Sequence, residues 1–357
     1  MKRTFTKQDS QAMKGIAILL MLLHHLFYSA DSSHGLPVSY LLLDTRQVVA
    51  AARFCKICVP AFVFVTAYGM AVKYEAYGQG REPFLRLTLK RYISLMVSFL
   101  FVYVLAFVFC QIGGMRSYGE VYGSGTKSVV YAVIDMLGMT YFTGTPSMNP
   151  TWWYMSVAVL LIFALPLLWR LAQMADILPV ILTAGIMLAA GLWKNQAMLC
   201  LLTAGVGIFC ERRKILERLA GFWDKSRWYR MAGRLILTAG LAVLLLLKVR
   251  TGNRFWIVIY PVSAVFIAKL LCLGSRDGKI SKILQFFGRY SMYMFLTHTF
   301  LKSYYLHDFI YGFRQAELIY AVLVGISLIL AMLLARLEKK FRQVLHIDER
   351  LQKLAGG

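Results

Sequence analysis

Charge is scarce in this chain. Only 16% of its 357 residues are Asp, Glu, Lys or Arg, whereas an ordinary soluble domain uses about a quarter. Cysteine is scarce too. The six cysteines mostly fall in apolar runs, where Cys acts as a small hydrophobe. Cys55 and Cys58 form a lone C-x-x-C with no second pair and no suitably spaced His, so no metal or redox centre is expected. No Ala-x-Ala-like site follows the first apolar run, which excludes reading it as a cleaved leader. No internal repeat and no low-complexity linker is visible. What is left is one membrane domain over 1–357, with no soluble part large enough to stand alone.

Apolar residues are abundant: 59% of the chain, with a mean hydropathy of +0.61. Runs long enough to cross about 30 Å of hydrocarbon recur from end to end. The candidate spans are 13–30, 55–73, 91–113, 152–171, 176–194, 196–211, 233–249, 255–274, 286–306 and 317–337. The sequence therefore predicts an all-α polytopic bundle of about ten transmembrane helices. A shorter stretch, 127–142, is read as a re-entrant or interfacial segment on the outer side.

Basic residues decide that reading. The net charge of +23 sits in loops between spans, which is the pattern of cytoplasmic loops against an anionic leaflet rather than of nucleic-acid binding. Placing the N-terminus (1–12) inside puts the 73–91 and 212–234 loops inside only if 127–142 does not cross. The C-terminal tail, 338–357, is then also inside. The expected location is the cell (plasma or inner) membrane, with membrane lipids as partners and no nucleic acid.

Lys14 and His25 are the pair that first suggests chemistry. Eleven residues bring His25 back almost onto the stripe that carries Lys14, roughly 16 Å further along a helix axis. An ionisable residue in a membrane span is costly and by default marks function. The expectation is a charged mouth at one membrane face and a proton-handling imidazole near the middle.

That run, Lys14 through His24-His25, resembles the signature of membrane acyltransferase family 3: a basic residue, ten residues, then His. Val59 to Tyr68, Thr151-Trp152-Trp153-Tyr154-Met155-Ser156 and Phe287 to His298 are similar to the family's other landmarks, in the same order. The family usually has Arg where Lys14 stands. A frequent Arg-x-x-Arg-x-x-Pro appears here as Thr88-Leu89-Lys90-Arg91-Tyr92-Ile93-Ser94.

The resemblance implies an enzyme that transfers groups other than amino-acyl groups: an O-acyltransferase, most often an O-acetyltransferase. The donor would be cytoplasmic acetyl-CoA or another acyl-CoA. The acceptor would be a hydroxyl of a cell-surface polysaccharide or lipid-linked glycan. Such chemistry needs a group that titrates near neutrality to take the hydroxyl proton, and His25 is the candidate general base. It needs basic residues for the anionic donor, which Lys14, Arg86, Lys90 and Arg91 supply. It also needs donors for the developing oxyanion, with Trp153, Tyr68 and Thr66 as candidates.

Asp135 either orients His25 or pairs structurally with a nearby cation. His298 either orients the base or acceptor or is structural. Trp153 either stacks on a sugar or anchors at the interface. His24 is read as structural. A competing function, a transporter or flippase for a glycan intermediate, would use a similar polar path. Repeats, broken helices or paired mid-membrane carboxylates would favour it, and none is clear.

Overall fold

A computed structural model describes residues 4–41, 43–77, 81–223 and 226–356. Among the described residues there are helices and no strand. In chain order the main ones are α1 (Lys7–Phe27), α2 (Thr45–Phe54), α3 (Cys58–Tyr77), α4 (Arg81–Gly113), α5 (Thr126–Met136), α6 (Trp153–Met174) and α7 (Leu178–Ala189). They continue as α8 (Gln196–Arg212), α9 (Ile215–Trp223), α10 (Arg227–Thr251), α11 (Trp256–Leu273), α12 (Lys279–Phe300), α13 (Ala316–Val344) and α14 (Ile347–Gly356).

Each of the ten spans read from hydropathy overlaps one of these helices, with bounds that differ by several residues at α1 and α12. Among the described residues seven stretches are long and apolar enough to cross a membrane, while α7, with 12 residues, is shorter. The chain is an all-α polytopic membrane bundle. The doubtful 127–142 stretch folds as α5, 11 residues between Gly125 and Leu137. At 1.5 Å per residue it is about 16 Å long, roughly half the hydrocarbon thickness.

The chain forms two compact units, one of residues 1–78 and 164–291, the other of 79–163 and 292–357. In the first unit, α1 is fixed by its ends and by its middle. Thr6 is its N-cap, forming a capping box with Asp9, which satisfies amides that the helix leaves unpaired. Asp9 is 2% exposed and pairs with Arg276 at 3.0 Å. At the other end the His24 Nδ1–H donates to the Ala52 carbonyl at 2.8 Å, and Arg53 Nε donates to the Tyr28 carbonyl at 2.9 Å.

In the middle, α1 meets α12 backbone to backbone. A Cβ placed on Gly15 would stand 1.9 Å from the Leu284 carbonyl oxygen, and one on Gly288 would stand 1.9 Å from that of Gln11. Small residues of this kind let membrane helices approach where apolar burial gives no drive. Gly207 of α8 makes a milder approach to α3, with Ala67 Cβ at 3.1 Å from such a position.

In the second unit the polar groups that hydropathy hides are tied together. Glu338 of α13, 1% exposed, accepts from Ser98 Oγ at 2.7 Å, Tyr293 OH at 2.6 Å and Arg342 Nε at 2.5 Å. A buried carboxylate is tolerated because charge and hydrogen bonds are both supplied.

Candidate functional site

Lys14, His25 and Tyr68 lie in the first unit. Arg86, Lys90, Arg91, Asp135, Trp153 and His298 lie in the second.

His25 is in the last turn of α1, together with His24. The sequence expectation placed the imidazole near the middle of its helix. Polar residues 7–11 extend the helix at its start instead, and it stops at Phe27. His25 therefore stands about 27 Å from Lys7 along the axis. The two histidines differ in their surroundings. His24 spends its Nδ1 proton on the Ala52 carbonyl, which fixes its tautomer, because a carbonyl only accepts. His25 is half-buried, with its ring 5.0 Å from that of His24 and 6.4 Å, edge-on, from that of Tyr28. Lys14, half-buried, sits beside the Gly15 crossing.

Tyr68 is 4% exposed and packs edge-on against Phe5, with centroids 5.2 Å apart. Phe5 precedes the cap of α1, so Tyr68 is at the end of that helix opposite to His25. The structure does not bring these two together.

In the second unit, Arg86, Lys90 and Arg91 are half-buried on the early turns of α4. Positions 86 and 90, four apart, share a helix face. Asp135 is 1% exposed and accepts three hydrogen bonds: Tyr122 OH at 2.7 Å, Ser147 Oγ at 2.8 Å and the Met148 amide at 2.6 Å. Burial pushes its carboxyl above the ordinary range, and these donors oppose that shift. Tyr103 extends the chain, 2.8 Å from the Tyr122 hydroxyl. Arg116 Nε donates to the Met148 carbonyl at 3.1 Å, so the segment preceding α6 is held from both sides.

Trp153 is half-buried, with its ring 5.8 Å from Tyr141. The fully buried indole is its neighbour Trp152, whose Nε1–H donates to the Leu296 carbonyl at 3.1 Å. His298 is wholly buried, and its Nδ1–H donates to the Phe295 carbonyl at 2.9 Å.

Asn149, Thr151, Thr299 and His298 form one run of hydrogen bonds. Asn149 Oδ1 accepts from both the Thr151 amide, at 3.0 Å, and the Thr151 hydroxyl, at 2.8 Å. Thr299 then holds the one hydroxyl proton available for its contacts with Thr151 Oγ1 at 3.0 Å and His298 Nε2 at 3.2 Å. With neutral His298, Thr299 donates to Nε2.

Asn149, Thr299, Lys302 and Arg116 were not singled out from the sequence. Lys302 had a legible signal: a basic residue four after His298 inside an apolar run. One open cleft of about 650 Å³ lies in the first unit, lined by Asp176, Arg212, Arg213 and Arg218 among others. None of the sequence-predicted site residues lines it. Asp176 already pairs with Arg212 at 2.6 Å and with Arg213 at 2.5 Å.

No curated protein and no solved structure matches this chain. Residues 8–336 match the acyltransferase 3 family model, described as an acyltransferase domain, which spans the segments carrying Lys14, His25, the Trp152–Trp153 pair and His298. The chain belongs to the acyltransferase 3 family.

Proposed function

We propose that this protein is a membrane O-acyltransferase that moves an acyl group, acetyl in the simplest case, from cytoplasmic acyl-CoA to a hydroxyl of a surface polysaccharide or lipid-linked glycan. The observation that carries this reading is the acyltransferase 3 family match over residues 8–336, which includes Lys14 and the two histidines of α1. His24 is committed to the Ala52 carbonyl. His25, the residue at the family's motif position, is half-buried and keeps a basic residue three turns upstream.

In the proposed reaction the His25 imidazole takes the proton of the acceptor hydroxyl as its oxygen attacks the thioester carbonyl. The carbon–oxygen bond forms, the carbon–sulfur bond breaks, and the thiolate of CoA takes the proton back. Lys14 and, separately, Arg86, Lys90 and Arg91 are assigned by their charge as contacts for the anionic donor. Trp153 is assigned to the acceptor. In this reading both termini are cytoplasmic and the protein resides in the cell membrane. The three donors on Asp135 support a role in ordering the segment before α6.

The test uses membrane vesicles supplied with labelled acetyl-CoA and crude envelope glycan. The wild-type chain is expected to label the glycan. His25→Ala is expected to lose at least about a hundredfold in rate, as removal of a general base does, while inserting normally. Undiminished labelling by the variant removes His25 from the mechanism.

A further inference from the structure

The open cleft of about 650 Å³ lies where α6 ends, α7 begins and α8 runs into α9. Three arginines and one aspartate line it, so two positive charges are left over in a concave wall, which concentrates their field. Asp176 accepts from Arg212 Nε on one carboxylate oxygen, at 2.6 Å, while Arg213 Nε stands 2.5 Å from the other. One carboxylate thereby holds two guanidinium forks side by side through their Nε atoms, and each fork carries further N–H donors. Arg212 also lies over the Trp169 ring at 5.0 Å. Arg213, its side chain 52% exposed, and Arg218 reach solvent. Glu75 stands 3.7 Å from Arg212 with its side chain 62% exposed, where pairing is weak. Planar forks held in this way suit the oxygens of a phosphate.

The same cleft has an apolar side. Met174 and Ile177 line it and are 78% and 43% exposed. From there an apolar face runs along α7. That helix buries Pro179, Thr183 and Met187, and Pro179 meets Gly205 of α8, where a Cβ would stand 3.4 Å away. Ile177, Ile181, Gly185 and Leu188, spaced four, four and three apart, share another face. All four are exposed, and a Cβ on Gly185 would meet nothing within 4 Å. The run from Ile177 to Leu188 is about 16 Å long, close to half the hydrocarbon thickness. A helix too short to cross the membrane thus presents a track about one leaflet deep. A cationic cleft that opens onto such a track matches an amphiphile with an anionic head. A soluble phosphate compound would use the arginines alone.

We propose that this cleft binds the headgroup of an anionic phospholipid, with the phosphodiester facing Arg212, Arg213 and Arg218 and one acyl chain along the Ile177–Leu188 face of α7. Basic pockets at the membrane face of helical bundles take such headgroups. In the orientation proposed above the lipid belongs to the cytoplasmic leaflet. The site does not depend on the acyl-transfer reading.

The experiment uses the full-length chain in mild detergent, titrated with phosphatidylglycerol or phosphatidylcholine. Retained lipid is counted by native mass spectrometry, and thermal unfolding reports the stabilisation that binding brings. Wild type should retain phosphatidylglycerol and gain stability from it, and phosphatidylcholine should do neither. Arg213→Gln combined with Arg218→Gln should weaken phosphatidylglycerol binding about thirtyfold, the worth of two basic residues at an anionic headgroup. Lys279→Gln combined with Lys282→Gln, which removes two exposed charges from the start of α12, should bind as wild type does. Ile177→Glu places a carboxylate at the mouth and leaves every arginine intact. An acidic residue at a helix start is well tolerated, so this variant keeps the test decisive even where the arginine pair fails to fold. It should lose phosphatidylglycerol binding. Equal binding by wild type and Ile177→Glu overturns the proposal, as does an equal loss in the lysine pair or equal affinity for the two lipids. Stabilisation by pyrophosphate or CoA as large as that by phosphatidylglycerol overturns it too, and assigns the cleft to a soluble phosphate ligand.

Discussion

The Nδ1 of His24 lies 2.8 Å from the carbonyl oxygen of Ala52, joining the end of α1 to α2. The proposed reading gives the adjacent histidines distinct parts, His24 tying down the helix and His25 acting as the base. His24→Ala should lower stability by about 1 kcal/mol, the net worth of one such hydrogen bond, with part of the transfer rate retained. His25→Ala should leave the unfolding temperature almost unchanged and remove the transfer. Measuring unfolding and labelling on both variants checks the division. A reversed pattern would assign the chemistry to His24.

The charge at position 14 gives a second expectation. Lys14→Gln should raise the KM for acetyl-CoA more than that for the glycan. Lys14→Arg, which restores the family's usual residue and its planar fork, should match or improve donor binding. Steady-state kinetics with each substrate varied in turn decide this, and an equal rise in both KM values speaks against a donor contact.

The crossing of α1 and α12 allows no side chain. Gly15→Ala and Gly288→Ala each set a methyl carbon 1.9 Å from a carbonyl oxygen, so backbone must move. The cost should exceed about 3 kcal/mol, beyond ordinary overpacking. Neither variant should give a monodisperse protein in detergent. Gly69→Ala, which meets nothing within 4 Å, should behave as wild type and serves as the control.

Asp135 makes stability depend on pH with a definite sign. Burial raises its carboxyl above the ordinary value of 3.8, so the folded state holds the proton more tightly than the unfolded chain does. The contribution is full below the unfolded value and is lost as pH rises through the higher folded value. Relative to Asp135→Asn, the wild type should therefore be most favoured near pH 4 and lose ground towards neutrality. Unfolding temperatures of both chains across that range test it. A difference that grows with pH contradicts the assigned shift.

Hydropathy made the long helices legible because lipid demands continuous apolar surface and internally paired backbone. It misplaced the start of α1 because the first turns are polar. There the signal was Thr6-x-x-Asp9, a cap pattern rather than an apolar one. The motif residues Lys14 and His25 were legible as ionisable groups in an apolar run. Lys302 follows the same rule, four residues after His298. That Trp152, not Trp153, is the buried indole depends on which helix face meets Leu296, a matter of packing that the dipeptide does not encode. The separation of Tyr68 from His25 likewise follows from where Phe5 packs.

A helix clasped at both tips and pinched at Gly15 cannot slide, so the gap between Lys14 and His25 is a ruler of about 16 Å. In the proposed reaction, a donor held by its charged end at Lys14 would need a tether of that length to bring its carbonyl to the His25 ring. On that reading compact activated acyls such as acetyl phosphate would fall short of it, and the α1 anchors would set a minimum size for the donor.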